Sequence, residues 1–309
     1  DVTVEKSDTR IVDVGDYVDA GARIVEAGAW RDAPEDAVIF GLKELPLDTG
    51  PLRHTHVMFG HAFKGQPEAA DLLKRFRDGG GALLDLEYLT DGDGRRVAAF
   101  GVWAGYVGAA LSLLAWAAKQ KGQAMAGVSP WDDKAALAGD VTAALDGARP
   151  KVIVIGALGR TGAGAIALCR DVGIEPTGWD MAETASGGPF NAIFDHDVML
   201  NCILAGPDTP IFVPKARAGD PGNLSVIGDV SCDPGNPISP VPLYDHATTW
   251  ADPVVAASEA LDIMAIDNLP SLLPLEASED FSAQMLPHLL TLPDGAVWGR
   301  AREVFERHV

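Results

Sequence analysis

Side chains that can move protons follow three apolar segments in the first third of the chain. The segments are 38–42, 57–60 and 82–86, and the polar residues that follow them are Lys43, Glu44, His61, Lys64 and Glu87. A lysine can hold a carboxylate or take up a proton, and a histidine can act as acid and base near neutral pH. Each residue taken alone is equally well explained as a solvated loop residue. Together, at three successive segment ends, they favour a site for an anionic substrate that carries an amine.

A glycine-rich segment indicates a second kind of chemistry. Gly156, Gly159 and Gly162 lie between the apolar run 151–155 and the helix-forming run 163–171. This order of strand, glycine turn and helix is typical of dinucleotide-binding units, in which a pyrophosphate lies at the helix N-terminus. Asp180 follows at the distance expected of a carboxylate that binds the ribose hydroxyls of NAD and repels the 2′-phosphate of NADP. The alternative is a tight turn in a parallel sheet without a ligand.

The elements that must position these residues alternate between strand and helix. We predict strands over 23–27, 37–42, 56–60, 82–86, 151–155, 177–180, 197–203, 223–230 and 261–266. We predict helices over 11–22, 66–78, 163–171, 279–290 and 297–308, and we interpret 129–140 as a polar connection. Alternation of this kind predicts parallel sheets with crossover helices, whose ligands bind at the carboxyl ends of the strands.

One uncharged segment, Val97–Ala118, is long enough to span a membrane. It is rich in alanine and glycine, carries Tyr106 and Ser112 in its middle, and is the only such segment in the chain. We therefore interpret it as a buried helix, and a membrane anchor remains the minor alternative.

The predicted fold class is α/β, with two Rossmann-like domains that have parallel sheets, a long buried helix that joins them and an active site in the interdomain cleft. The chain has 309 residues, of which 47% are hydrophobic, and this is enough for two domains. We assign residues 1–96 with 279–309 to a substrate domain. Residues 97–278, including the linker helix 97–119, form the NAD-binding domain.

Composition excludes several classes of partner. The net charge of −20 disfavours nucleic acid and an anionic membrane surface as partners. Cys169, Cys202 and Cys232 are widely spaced and form no CxxC pair, which favours reduced thiols and a cytoplasmic location. We interpret His54 and His56 as surface residues. We predict no metal site, because no acid or thiol is spaced to complete a set of ligands with these two histidines.

Several longer motifs resemble those of the saccharopine dehydrogenase family, in its NAD-dependent, lysine-forming type. The motifs occur in order over nearly the whole chain, at 41–46, 59–66, 85–89, 94–101, 156–164, 186–190, 201–203 and 266–278. The broader resemblance is to alanine dehydrogenases and transhydrogenase subunits. It implies NAD as cofactor and the small molecules saccharopine, lysine and 2-oxoglutarate as substrates and products.

The resemblance implies roles for individual residues. Lys43 would accept the proton of the secondary amine of saccharopine, and His61 would be the acid and base of the later steps. Glu44 and Glu87 would lie near this pair and influence its protonation. Lys64, by its residue type at a strand end, would hold a substrate carboxylate. The further substrate contacts would be Gln66, Arg96, Phe100, Ser231, Cys232 and Asp233. The nucleotide contacts would be Arg95, Gly159, Arg160, Asp180, Thr184, Val230, Ile266, Asp267, Asn268 and Leu269, beside Gly156 and Gly162 of the turn.

The chain also departs from the family pattern. Family members have an N-terminal strand with a substrate-binding arginine, and this sequence starts after that point. If the sequence is the whole polypeptide, we expect one strand and one substrate ligand to be absent. Thr161 stands where some members have a cysteine that pairs with the position of Cys202. Asn268 and Leu275 replace a histidine and an arginine. Two alternatives follow: a related amino-acid or opine-type NAD dehydrogenase with another substrate, and an NAD(H)-binding protein without turnover.

Overall fold

The chain forms two compact units in the computed structural model, which describes residues 1–43, 45, 50–63 and 69–309. The first unit comprises Asp1–Ala99 and Asp280–Val309, and the second comprises Phe100–Glu279. Both units contain parallel strands with helices between them.

The strands of the first unit are short and pair in parallel. They are β1 (Thr3–Glu5), β2 (Arg23–Val25), β3 (Val38–Phe40), β4 (Thr55–Met58) and β5 (Ala82–Asp85). β1 pairs with β2, while β3, β4 and β5 form a separate ladder in that order. β5 is buried along its whole length, and so are the last three residues of β4. The strand at Thr3–Glu5 was not predicted, because three residues are too few to show an alternating pattern.

Two helices lie between these strands. α1 (Val14–Asp19) is shorter than the predicted helix 11–22, because Asp13 caps its start through a 2.7 Å hydrogen bond from the Gly15 N–H and Gly21 has a positive φ of 88°. α2 (Ala69–Gly79) ends at a left-handed Gly80, as the run of three glycines predicted.

The second unit begins with the long apolar helix α3 (Gly101–Gln120). By length and composition it could cross a membrane, as the sequence alone suggested. It lies instead in the hydrophobic core of the second unit, with Val107, Ala109, Leu111 and Leu113 fully buried. The prediction of a buried helix is confirmed.

The interpretation of residues 129–140 as a polar connection was wrong, because α4 (Lys134–Leu145) occupies most of this stretch. The Asp133 carboxylate caps the helix by accepting the Ala136 N–H at 2.8 Å. Leu137, Val141 and Leu145 then recur at a spacing of four residues and are buried on one face. The helical period of these three side chains was not recognised in the sequence, because charged and small residues lie between them.

One mixed sheet forms the centre of the second unit. Its strands are β6 (Val152–Ile155), β7 (Thr177–Trp179), β8 (Val198–Asn201), β9 (Val226–Asp229), β10 (Val254–Ala256) and β11 (Asp262–Met264). The spatial order is β10-β11-β9-β8-β6-β7, and all neighbours are parallel except β10 with β11. The chain runs from β6 outward to β7 and returns to β8 on the other side of β6. This reversal is the topological switch point, where open α/β sheets bind ligands.

Four helices remain, two between strands of this sheet and two after its last strand. α5 (Arg160–Asp171) and α6 (Met181–Thr184) connect its first strands, and α7 (Pro274–Leu289) and α8 (Ala296–Glu306) close the chain. α7 begins five residues before the predicted start, with Pro274 in the first turn, where its missing N–H has no cost. α8 buries Val297, Trp298, Ala301 and Phe305.

Candidate functional site

The glycine segment forms a tight turn between β6 and α5. Gly156 has a φ of 88°, a left-handed conformation that favours glycine, and its carbonyl accepts the Gly159 N–H at 3.1 Å. Gly159 is the N-cap residue of α5, and no side chain caps this end of the helix. The N–H groups of the first turn can therefore serve a bound anion.

The third glycine allows the helix to approach the strand. A Cβ at Gly162 would lie 2.1 Å from the Gly156 carbonyl oxygen, a distance that no real side chain tolerates. This is the role of the third glycine in a dinucleotide fingerprint, namely close packing of helix on strand. The turn therefore has the geometry that the sequence predicted.

Asp180 follows the end of β7 and contacts the same turn. Its carboxylate accepts the Leu158 N–H at 3.0 Å and the Met181 N–H at 2.9 Å, while the Glu183 carboxylate accepts the Asp180 N–H at 2.7 Å. Asp180 is thus the N-cap of α6 in a capping box, in addition to the ribose-binding role predicted for it. The Thr184 hydroxyl donates to the Asp180 carbonyl at 3.0 Å, so both residues lie at this end of the sheet.

A buried polar network occupies the next strand ends along the sheet. Asn201 and Asp229 are paired residues at the ends of β8 and β9, and each is at most 1% exposed. The Asp229 carboxylate accepts hydrogen bonds from the Asn201 amide at 2.9 Å, the Ser231 hydroxyl at 2.8 Å and the Tyr244 hydroxyl at 2.8 Å. The sequence reading assigned Ser231 to the site but missed Asp229 and Tyr244. The available signal was a carboxylate that ends an otherwise apolar strand.

Cys232 follows in a strained conformation that fixes its thiol. Its φ of 45° is uncommon for a residue with a side chain, and the thiol donates to the Ala265 carbonyl at 3.0 Å. Burial, followed by the charges of the nearby carboxylates of Asp267 and Asp229, raises the pKa of Cys232 to about 12. The thiol is therefore neutral at physiological pH and reacts only slowly as a nucleophile while it is held in this position.

The other predicted nucleotide residues of the second unit lie at the carboxyl ends of β9 and β11. The Val230 N–H donates to the Asn201 carbonyl at 3.0 Å, and Ile266 forms an isolated bridge with Thr248. Val230, Ile266 and Leu269 are buried, whereas Asp267 and Asn268 are exposed. Because β6, β8, β9 and β11 are parallel, these residues share one edge of the sheet with the glycine turn. Arg160 is exposed in the first turn of α5.

In the first unit, Lys43 and His61 lie at one edge of the β3–β4–β5 ladder. The ladder continues past the strands, because the Gly41 N–H donates to the Val57 carbonyl and the Phe59 N–H donates to the Leu42 carbonyl, both at 2.9 Å. This register places Lys43 and His61 one to two residues beyond the last paired positions of neighbouring parallel strands. Lys43 is exposed and His61 is partly exposed. Both residues therefore follow the carboxyl ends of neighbouring strands, and their convergence on one substrate stays a prediction.

A buried carboxylate holds the backbone next to His61. Asp85, at the end of β5, accepts the Gly60 N–H at 3.2 Å and the Glu87 N–H at 2.9 Å. Burial raises the pKa of the Asp85 carboxyl, while the two N–H donors and the nearby His61 act in the opposite direction. His61 itself has a positive φ of 48°. Backbone strain of this kind is frequent at functional sites.

The structure places the remaining predicted residues as follows. Arg95 and Arg96 are exposed at the end of a turn in which the Asp91 carboxylate accepts the Arg95 N–H at 2.9 Å, and Arg96 bridges to Thr90. Phe100 is the residue before α3 and is partly buried. Asp233 follows Cys232 in the loop after β9. Glu44, Lys64 and Gln66 lie outside the described residues.

The interpretation of His54 and His56 as surface residues was wrong, because each is only 1% exposed. His54 is hydrogen-bonded to the Ala33 carbonyl at 3.0 Å. The His56 ring contacts Trp30 and Phe76 edge-on, at centroid distances of 5.1 and 5.5 Å. Burial, followed by the charges of His54 and Arg75, lowers the pKa of His56 to about 4. The two rings are core residues of the first unit. Among the described residues, no three potential ligands cluster to hold a metal ion.

Comparison with known proteins places this geometry in a family. Residues 1–107 match the family described as alanine dehydrogenase/PNT, N-terminal domain. Two solved structures share the fold: an L-alanine dehydrogenase (TM-score 0.62, 17% identity, covering 95% of this chain and 81% of that one) and a transhydrogenase from Sinorhizobium meliloti (TM-score 0.60, 13% identity, covering 94% and 85%). These likenesses confirm the α/β fold with parallel sheets that the sequence predicted.

Curated relatives match along the full length of the chain. The Yarrowia lipolytica saccharopine dehydrogenase [NAD(+), L-lysine-forming] is 47% identical, and the match covers 100% of this chain and 89% of the relative. The enzymes of the same name from Candida albicans and Schizosaccharomyces pombe are 43% and 40% identical, covering 100% of this chain and 89% and 90% of the relatives. Identity at this level over the whole length is far above what a shared fold alone produces. The chain therefore belongs to the family of NAD(+)-dependent, L-lysine-forming saccharopine dehydrogenases.

Proposed function

We propose that this chain catalyses the NAD-dependent oxidative cleavage of saccharopine to L-lysine and 2-oxoglutarate. The observation that carries the proposal is the full-length match to relatives that are named for this one activity, at 40–47% identity. The glycine turn at the switch point of the sheet supports it, because it supplies the dinucleotide site that the reaction needs.

The residues at this turn fit NAD. A Cβ at Gly156 would lie 3.1 Å from the Cys202 backbone, and one at Gly162 would lie 2.1 Å from the Gly156 carbonyl, so only glycine leaves the backbone N–H groups accessible to a pyrophosphate. Asp180 would hold the ribose hydroxyls, and Val230 and Ile266–Leu269 would contact the nucleotide. When bound, NAD supplies the acceptor for the hydride that leaves the glutamyl α-carbon of saccharopine.

The reaction consumes saccharopine, water and NAD+, and it yields lysine, 2-oxoglutarate, NADH and a proton. We propose that the Lys43 amine accepts the proton of the secondary amine of saccharopine. This proton must leave as the carbon–nitrogen double bond forms. We propose that His61 is the acid and base of the later steps, in which water adds to the former glutamyl α-carbon and the carbon–nitrogen bond then breaks. Both side chains lie at one edge of the same ladder, where the substrate amine can reach them, and each is of a type that transfers protons readily.

The substrate carries three carboxylates, so its site needs cations and hydrogen-bond donors. We propose that Lys64, Gln66, Arg96 and Ser231 bind these groups, with Phe100, Cys232 and Asp233 beside them and Arg95 toward the nucleotide. We place Glu44 and Glu87 near the catalytic pair. Arginine binds a carboxylate through two parallel hydrogen bonds, which gives orientation as well as affinity.

We further propose that the partners of the protein are small molecules, without nucleic acid or membrane, and that it acts in the cytoplasm. The net charge of −20 supports the first point, since a polyanion would be repelled. The three cysteines carry free thiols, which supports a reducing compartment.

The test is oxidation of NADH, followed by its absorbance, with 2-oxoglutarate and a panel of amines. We expect lysine to support turnover, and Lys43→Met to lower kcat by at least about 100-fold while NADH binding is unchanged. Lys74→Met is the matched control, because Lys74 is an exposed lysine of the same unit whose partner is Asp78.

Each other outcome contradicts a defined part of the proposal. Turnover with another amine but not with lysine would indicate an opine-type dehydrogenase. NADH binding without turnover for any amine would indicate a binding protein. Near-normal turnover by Lys43→Met would remove Lys43 from the mechanism.

A further inference from the structure

The buried carboxylate of Asp229 lies at the centre of a network that joins three separate parts of the second unit. Its partners are Asn201 on the neighbouring strand, Ser231 two residues later, and Tyr244 beyond a stretch rich in proline and glycine. Asn201 also donates to the Ser231 hydroxyl at 2.9 Å, so that Ser231 is held from two sides. A carboxylate that is 1% exposed is stable only when hydrogen bonds replace the water that it has lost.

Tyr244 is held in the donor form that this carboxylate requires. Burial raises the pKa of the Tyr244 phenol, and the charge and hydrogen bond of Asp229 raise it in the same direction. The phenol therefore keeps its proton and donates to Asp229 over the whole physiological pH range. Since Tyr244 lies 15 residues after Asp229, this bond ties a distant loop to the end of β9.

The network determines the path of the loop that leaves β9. The Val230 N–H donates to the Asn201 carbonyl at 3.0 Å, and the Cys232 N–H donates to the Asp229 carbonyl at 3.2 Å. Cys232 has the uncommon φ of 45°, which a residue with a side chain retains only when the surrounding contacts enforce it. The hydrogen bond from the Cys232 thiol to the Ala265 carbonyl holds the loop against the end of β11.

We propose that Tyr244 and Asp229 are positioning residues for the substrate-binding loop Ser231–Asp233. This inference rests on the proposed function, which places that loop at the substrate. Tyr244 acts through Asp229, and Asp229 acts through Ser231, whose hydroxyl proton it fixes. Loss of the Tyr244 hydroxyl leaves the carboxylate with two donors and frees the loop, so that the substrate is bound less tightly while the glycine turn and its nucleotide contacts are unchanged.

The test compares Tyr244→Phe with Tyr106→Phe. The Tyr106 hydroxyl also donates to a carboxylate, that of Asp171, at the same distance of 2.8 Å. Asp171 is the last residue of α5, a helix of 12 residues that begins at the glycine turn, so this bond lies at the far end of the helix from the turn. The two variants lose the same chemical group and the same kind of bond, and only one of them is next to the loop.

We expect Tyr244→Phe to raise the KM for lysine or for 2-oxoglutarate about tenfold, which corresponds to about 1.4 kcal/mol. The dissociation constant of NADH should stay within about twofold, and Tyr106→Phe should leave KM unchanged. An unchanged KM in Tyr244→Phe, or an equal rise in both variants, would overturn the positioning role. A fall in kcat and in NADH affinity without a change in KM would also overturn it, because it would indicate general damage to the second unit.

A second measurement tests the loop without turnover. The rate at which iodoacetamide labels Cys232, read by peptide mass spectrometry, reports how firmly the thiol is held against Ala265. We expect this rate to rise in Tyr244→Phe and not in Tyr106→Phe, and equal rates would reject the inference. If the unaltered protein shows no lysine-dependent turnover, the proposed function fails, and the labelling rates still decide whether Tyr244 holds the loop.

Discussion

Replacing Gly105 by alanine should force two core helices of the second unit apart. A Cβ at Gly105 in α3 would lie 1.8 Å from the Thr161 carbonyl oxygen in α5, and a Cβ at Gly164 in α5 would lie 1.8 Å from the Val102 carbonyl oxygen in α3. The contact is therefore reciprocal, with each glycine lying against the backbone of the other helix. A backbone oxygen inside a helix cannot move away unless the helix moves with it.

The magnitude follows from these distances. An ordinary contact is at least 3.4 Å, so that the helices must separate by about 1.6 Å, well beyond the gap at which dispersion attraction falls by half. Overpacking of a core typically costs about 1–3 kcal/mol, and the upper value applies where the obstructing atom is backbone. Alanine regains about 1 kcal/mol of helix propensity over glycine. The net loss in the free energy of unfolding is therefore about 2 kcal/mol, or a fall in Tm of roughly 4–8 °C.

The assay is thermal unfolding, with NADH binding as the second readout. Since α5 begins at the glycine turn, a displacement of α5 should weaken NADH binding as well as lower Tm. Gly139→Ala is the matched control, because Gly139 lies inside α4 and a Cβ there has no atom within 4 Å. It should raise the free energy of unfolding by about 0.5–1 kcal/mol and leave NADH binding unchanged.

The reasoning is refuted if Gly105→Ala is as stable as Gly139→Ala. Gly164→Ala provides an independent check from the other helix, and it should be destabilised to a similar extent. Because one separation of the helices relieves both contacts, the double variant should lose less stability than the two single losses added together.

Two further predictions concern Asp180 and His56. Asp180→Ser retains an oxygen for the helix cap but removes the charge, so the ratio of kcat/KM for NAD to that for NADP should fall by about tenfold or more, and an unchanged ratio would reject the ribose assignment. The pKa of His56 is lowered from 6.5 to about 4 in the folded state, so the unfolded chain takes up a proton first as the pH falls through this range. This difference in pKa should lower the free energy of unfolding by about 3 kcal/mol between pH 6.5 and pH 4. Urea unfolding at pH 7 and pH 4 should show a smaller drop for His56→Phe, and an equal drop would contradict the argument.

Local structure could be predicted from the sequence at positions where only one residue type can adopt the required backbone conformation. The left-handed φ of Gly156, the close approach at Gly162 and the left-handed end of α2 at Gly80 are properties that only glycine supplies without strain. The apolar run before the turn and the helix after it are equally local signals, and both were predicted. The order of the strands was not, since pairing depends on how distant segments pack.

Burial of polar side chains was not predictable from local patterns. His54 directly precedes β4 and His56 is its second residue, and polar residues at the start of a strand are common at the surface. They are buried because Trp30 and Phe76, from other parts of the first unit, pack against their rings. In the same way α4 was missed, because its three buried positions belong to a core shared with α3, which the local sequence does not reveal.

The two buried carboxylates show what a sequence reader can nevertheless look for. Asp85 and Asp229 each end an apolar parallel strand, and each accepts hydrogen bonds from the loops that carry proposed site residues. Beside each lies a non-glycine residue in a left-handed conformation, His61 at 48° and Cys232 at 45°. Such a conformation is unfavourable in isolation, so it requires a rigid support, and a carboxylate without water gains most from accepting the available N–H and O–H groups. A carboxylate at the carboxyl end of an apolar strand is therefore better interpreted as the support of a neighbouring site residue than as a solvated loop residue. In both units that signal was present in the sequence.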